Sequence, residues 1–382
     1  MAAVPPQERA PRVTIAPDLP VADSVRLALA TGVAAMKHHE ASAVAGEIEP
    51  IHQMRVAVRR LRATVQLFAG VIHGSRVRVY KRDLSWLGQT AGAVRECDVI
   101  DALIRECGER LDPALAGALT PLCDALGGSR KAKHRKFVEE LRTKRYERMC
   151  ARLADPLLRR AIPATDVGCH APEMIAPIAR SVRKAGKRIG RDAPPTLFHR
   201  LRVRIKRLRY ALEMLAELGG KRSRKALMRL EEMQELLGTH QDVVSTMTWL
   251  RSYAESAAGA PPGTLMAVGA MVQTLVIRRQ KLAARAYRRW RKIGRSGVIR
   301  DALGEISREA EKRRESARDA QAEGDRQAQA AATESDGGER PDGSEQPVAA
   351  AGASEPIAPA SGDHRTPAAA DASPTPLPHT NG

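Results

Sequence analysis

Residues Ile51 to Phe68 read IHQMRVAVRRLRATVQLF, and residues Phe198 to Leu215 read FHRLRVRIKRLRYALEML. At a constant offset of 147, His52 meets His199, Arg55 meets Arg202, Arg59 meets Lys206, Arg60 meets Arg207 and Arg62 meets Arg209. On a helix advancing about 100° per residue, His52, Arg55, Arg59 and Arg62 fall within about 80° of arc, while Met54, Val58, Leu61, Val65 and Phe68 share another. The second copy separates His199, Arg202, Lys206 and Arg209 from Leu201, Ile205, Leu208, Leu212 and Leu215 in the same way. A strand would explain the alternation from Leu201 to Lys206, but that alternation fails at Arg207-Leu208, whereas the helical period runs on to Leu215. Each copy is predicted to be a helix with one face for a core and another for cations.

The likeness extends outward. AGAVRECDVIDAL follows the first copy and LLGTHQDVVSTM the second, with Gly92 matching Gly238 and Glu96 matching Asp242. Around the first copy the pattern predicts a helix capped by Asp23 or Ser24 and running toward Val44. Pro50 then opens the motif helix, a third helix starts near Val79, and a fourth runs from about Ser129 to Leu153 after the break Gly127-Gly128. Around the second it predicts helices over Ile178 to Arg191 and Ala226 to Trp249, a break at Gly259 to Gly263, and a long helix from about Leu265 to Ile293. Lys131 and His134 line a basic face of the fourth helix, and Arg278, Lys281 and Arg285 line the long one, Lys131 meeting Arg278 at the motif offset. A last helix is expected over Gly297 to about Ala317. The chain therefore divides into an irregular arm (1–18), a first helical half (19–160), a connection rich in proline and glycine (161–177), a second half (178–315) and a disordered tail (316–382).

Aromatic residues make up only 3% of the 382 residues, and Leu, Ala, Arg and Glu dominate, which is an all-α composition. The net charge is +19. From Ser316 onward four arginines face eleven carboxylates, so the first 315 residues carry +26. Such an excess repels itself until a polyanion neutralises it, and binding driven by it weakens with salt. Five cysteines are scattered singly without metal-ligand spacing, no leader segment opens the sequence, and no run approaches a membrane span. The expectation is a soluble cytoplasmic protein without cofactor, metal or membrane partner.

The paired signatures, with AGAVRECDVI after the first and LLGTHQDVV after the second, resemble the CHAD family, named for its histidines on an all-α fold. The likeness covers about Leu19 to Ile293. It implies two four-helix bundles related by pseudo-two-fold symmetry, with basic faces lining a shared central cavity or pore. It also implies binding of inorganic polyphosphate and association with polyphosphate granules. The family's basic positions carry over onto His52, Arg55, Arg59, Arg60 and Arg62, and onto His199, Arg202, Lys206, Arg207 and Arg209. One departure is Glu96-Cys97 before Asp98, where the family more often has aspartate followed by an apolar residue. No acidic strand pattern of a companion CYTH domain is present, which suggests a free-standing member.

A polyphosphate chain offers dense negative charge and no bases, so its reader needs closely spaced cations and nothing to stack on. Arginine supplies bidentate forks and lysine a mobile point charge, and helical spacings of three and four set such groups about 5–6 Å apart. The plain alternative is a solvated helix surface, but Arg55, Arg59 and Arg62 have no acid three or four positions away on their own helix. His52 and His199 lack the further ligands of a metal site and the partner domains of a phosphohistidine relay. They read as imidazoles that hydrogen-bond phosphate or cap their helices, with a purely structural histidine as the equal alternative. No nucleophile or phosphate-cradling glycine loop accompanies the carboxylates, so a binding module is expected rather than an enzyme. Duplex DNA or RNA backbone, which needs only cations, is the rival ligand, and a triphosphate-processing or regulatory subunit is a third reading.

Overall fold

The computed structural model describes residues 14–160, 165–256 and 259–336. The structure is all-α; among the described residues there is no strand, only two isolated bridges, Pro20 to Asp166 and Ile72 to Leu158. In the first half α1 (Val21–His38), α3 (Ile48–Leu67), α4 (Gly74–Gly108) and α6 (Thr120–Leu141) pack in succession. The short α2 (Glu40–Val44) and α5 (Pro113–Ala116) join them, and α7 (Lys144–Ala154) returns to α1. In the second half α8 (Val167–Gly186), α9 (Pro195–Met214), α10 (Lys221–Ser256) and α11 (Pro262–Ser296) pack in succession, and α12 (Val298–Asp336) follows. The two motif stretches lie on α3 and α9, each of 20 residues.

Two apolar cores result. The larger joins both halves, with Met54, Leu61 and Val65 of α3 and Phe198, Leu201 and Leu208 of α9 all fully buried. The smaller fills the space where the later turns of α4 and α10 meet α6 and α11, around Ile104, Leu122, Leu250 and Met271. The apolar arc read from each motif is thus a face buried in the larger core, with Leu61 against Gly32 of α1 and Val58 against Gly88 of α4.

Several boundaries differ from the sequence expectation, each for a local reason. α1 begins at Val21 after Pro20 rather than at a side-chain cap, and it stops at His39 before α2 takes over. α3 starts two residues before Pro50, and α4 starts at Gly74. Gly127 and Gly128 do not break the fourth helix. They lie inside α6, which is anchored by Leu122 and Leu126, and the break falls instead at Arg142, where Thr143 caps α7 by accepting from the Tyr146 amide at 3.3 Å. α8 begins inside the stretch read as a connection: Asp166 accepts from the Cys169 amide at 2.7 Å, and Pro172 and Pro177 ride within the helix. Burial of Ile175, Ile178 and Val182 offsets the lost proline hydrogen bonds. Ile15, in the arm, is buried and donates to Met214 O at 3.0 Å. α12 runs on to Asp336 although its described residues from Glu315 are exposed, because Ala, Glu, Arg and Gln favour the helix without a core. The expected disorder therefore does not begin at 316, and residues 337–382, like 1–13 of the arm, lie outside the described residues.

Two polar anchors set the helices. Asp83 of α4 is buried and meets Arg82, Arg145 and Arg152 at 3.3, 3.2 and 2.9 Å. Glu305 of α12 accepts from the amides of Gly220 and Ser223 at 2.9 and 2.8 Å, from the Ser223 hydroxyl at 2.8 Å and from the Arg222 amide at 3.3 Å, closing the first turn of α10.

Candidate functional site

α3 packs on α9, and α4 packs on α10 beside them. Arg55 and Arg59 come from α3, Arg202 and Lys206 from α9, Arg95 from α4 and Asp242 from α10. All six are half-buried. The first four lie one turn apart in pairs, so packing their helices brings two short cationic rows together.

The electrostatics report that closeness. Burial, then Arg59 and Arg202, hold Arg55 down to about 10. Burial, then Arg202, Arg59 and Arg55, press Lys206 down to about 6. Arg202 is lowered by burial and by Arg59, against the pull of Asp242. Asp242 is itself raised by burial, although Arg202, Arg55, Lys206 and Arg95 oppose the shift. His52 sits beside this group at about 4, lowered by burial and then by Arg95, and its Nδ1 is buried without a hydrogen-bond partner. Nε of Arg59 and Nε of Arg202 are buried and equally unpartnered. Among the described residues none of Arg55, Arg59, Arg202 and Lys206 forms an ion pair with a carboxylate. Like charges gathered at low dielectric with orphaned donors are unfavourable unless an anion joins them.

The sequence profile of the CHAD domain matches residues 27–251. The chain belongs to the CHAD domain family. Its fold is similar to the crystal structure of the CHAD domain from the plant Ricinus communis, at 27% identity and a TM-score of 0.60, covering 73% of this chain and 95% of that one. It is also similar to PptA from Streptomyces chartreusis, at 16% identity and a TM-score of 0.57, covering 72% of this chain and 99% of that one. No significant match was found among proteins of curated function.

Within this CHAD fold the remaining sequence candidates part company. Arg209 does not join the cluster: it is held by Glu213 and Glu231 at 2.7 and 3.3 Å and donates to Gln234 at 3.0 Å. Arg278 reaches both oxygens of Glu106 at 2.9 and 3.0 Å, beside the smaller core. His134 Nε2 lies 2.9 Å from Ala43 O, with its ring against Gly46, whose φ of 92° turns the chain there, so it locks α6 to α2. Arg60 lines a mostly apolar cavity of about 230 Å³ with Tyr210 and Glu213, away from the cationic rows. Lys131, Lys281 and Arg285 are exposed on α6 and α11. Arg62 and the half-buried Arg207 form a separate basic pair, Arg207 being lowered by burial and then by Arg62 and Arg204. Neither motif histidine caps its helix: α3 begins at Ile48 and α9 at Pro195, and exposed His199 bonds Gln241 Oε1 at 2.8 Å through Nδ1.

Arg95 and Asp242 do not belong to the phosphate contacts expected from the sequence, although they lie in the stretches that follow each motif. Their signal is the placement of AVREC and HQD after each motif stretch, which sets them on α4 and α10. Asp98, one turn on, holds Arg130 at 2.6 Å and Arg95 at 3.6 Å and so orients Arg95. Among the described residues no helix is long and apolar enough to cross a membrane, and no group of His, Cys, Asp or Glu has the makings of a metal site.

Proposed function

We propose that the chain is a binding module for inorganic polyphosphate, with Arg55, Arg59, Arg202 and Lys206 as its central phosphate contacts and His52 and Arg95 at their flank. The observation that carries this reading is the convergence of four basic side chains from both motif helices without a carboxylate ion pair, two of them with an orphaned buried Nε and one, Lys206, pressed down to about 6 so that an arriving anion would restore its proton. A phosphate chain supplies what those donors lack, several acceptor oxygens carrying charge at short intervals. Asp242 tempers the repulsion in the empty state through its charge on Arg202, Arg55 and Lys206. His52 enters as a neutral imidazole near neutral pH and offers a hydrogen bond to a phosphate oxygen.

The tryptophans weigh against a reader of single-stranded nucleic acid, while duplex DNA remains the rival that the competition below addresses. Trp86 lies under the Arg145 guanidinium at 4.1 Å, Trp249 stacks on Tyr253 at 5.8 Å, and Trp290 is buried against Gly186, so none of the three stands free as a base platform. The reading is of a binding protein rather than an enzyme, with granule attachment or phosphate storage as its setting. Titration calorimetry with polyphosphate at two salt concentrations, with duplex DNA as competitor, tests it. Tight binding that resists DNA is expected. Binding that yields to DNA or vanishes with modest salt would replace this reading with a general polyanion surface, and phosphate release on adding Mg²⁺ would replace it with an enzyme.

A further inference from the structure

The two halves differ in one respect that the motif does not require. At the offset of 147, Arg188, Arg200 and Arg204 stand where the first half has Ala41, Gln53 and Ala57. The structure brings these three together with Lys184 around a groove of about 280 Å³ between the last turns of α8 and the outer flank of α9, lined also by Ala185 and Leu197 and by no carboxylate. On α9, Arg200, Arg204 and Arg207 follow one another at spacings of four and three, a row about 10 Å long. This row flanks the apolar stripe on the side opposite to Arg202 and Lys206. Its far end reaches Arg62 of α3, which sits on the same face of α3 as Arg55 and Arg59. Among the described residues none of Lys184, Arg188, Arg200, Arg204, Arg207 and Arg62 forms an ion pair with a carboxylate. Six cations in a row without an acid are unusual for a plain surface, where both signs mix, and the first half has Ala41, Gln53 and Ala57 where three of them stand.

We propose that this groove is a second anion track, which takes the part of a polyphosphate chain that extends beyond the central cluster, by way of Arg62 and Arg207. The inference rests on the phosphate-chain reading above and adds to it that the protein holds its ligand asymmetrically, along the second half. It predicts a dependence on chain length that the central cluster alone would not give.

The test compares wild type with the triple variant Arg188→Ala, Arg200→Ala, Arg204→Ala and with Arg55→Ala, Arg202→Ala, each titrated with tripolyphosphate and with long-chain polyphosphate at two salt concentrations. Far-UV circular dichroism checks that each is folded. The triple variant should bind tripolyphosphate as wild type does, lose about tenfold or more in affinity for the long chain, and show a shallower salt slope by about two, at roughly 0.7 per lost contact. The central double variant should lose both ligands. Unchanged long-chain affinity and slope in the triple variant would overturn the groove while leaving the central site standing. An equal loss of tripolyphosphate would also overturn it as a separate track, because the arginines would then serve one site. Wild type that binds neither probe would overturn the phosphate-chain reading itself.

Discussion

At the scale of the residue, the site is built against its own stability. Arg59 and Arg202 each bury an unpartnered Nε among like charges, so Arg59→Met should stabilise the ligand-free protein by about 1–2 kcal/mol. Denaturant unfolding measures that gain, and the same variant should lose at least about tenfold in polyphosphate affinity. Lys206 gives the pH dependence. Its folded value of about 6 lies below the ordinary 10.5, so between those values the unfolded chain holds the proton more firmly and stability rises with pH. The full penalty is present below about 6. His52 and His240, both lowered to about 4, add a second rise between about 4 and their ordinary 6.5. Unfolding midpoints measured across pH 6 to 10 should therefore climb in wild type and flatten in Lys206→Met, and a climb of equal size in the variant would sink the assignment. The period of the motif made Arg55, Arg59, Arg202 and Lys206 legible in the sequence. The structural fates of Arg209, Arg278 and His134 were not, because Glu231, Glu106 and the Ala43 carbonyl come from other elements, 22, 172 and 91 residues away.

At the scale of the element, the apolar arcs of α3 and α9 were readable because Met54, Leu61, Leu201 and Leu208 keep a strict helical spacing. Boundaries were less so. Proline and glycine break a helix that has nothing to pack on, yet Pro172, Pro177, Gly127 and Gly128 all lie inside helices whose other residues have a core to fill. The fit between α8 and α11 depends on a missing side chain: a Cβ on Gly186 would fall 1.8 Å from the Trp290 ring. Gly186→Ala should cost about 1–3 kcal/mol through that overlap, read as a fall in the thermal midpoint, and a smaller residue at Trp290 should recover part of it. Asp83 fastens α4 to α7 through Arg145 and Arg152, so Asp83→Asn should cost about 2–3 kcal/mol while leaving polyphosphate affinity unchanged, because the cluster on α3 and α9 does not include it.

At the scale of the whole molecule, a charge of +26 on the first 315 residues announced an acidic partner but not where it would sit. The fold divides that charge by use. Part of it is spent inside ion pairs such as those of Arg209 and Arg278, and part stands unpaired along α3 and α9. A second division concerns the helix ends. The first turn of α10, whose free amides would draw a small anion, is closed by the carboxylate of Glu305. By seating its own carboxylate there, the chain withdraws a place where a solitary orthophosphate would be held as well as any longer chain. On the phosphate-chain reading, the unpaired side-chain charge along α3 and α9 would be engaged once by a lone ion and many times by a polymer, so that discrimination by length would draw on a place the protein has closed as well as on what it leaves open.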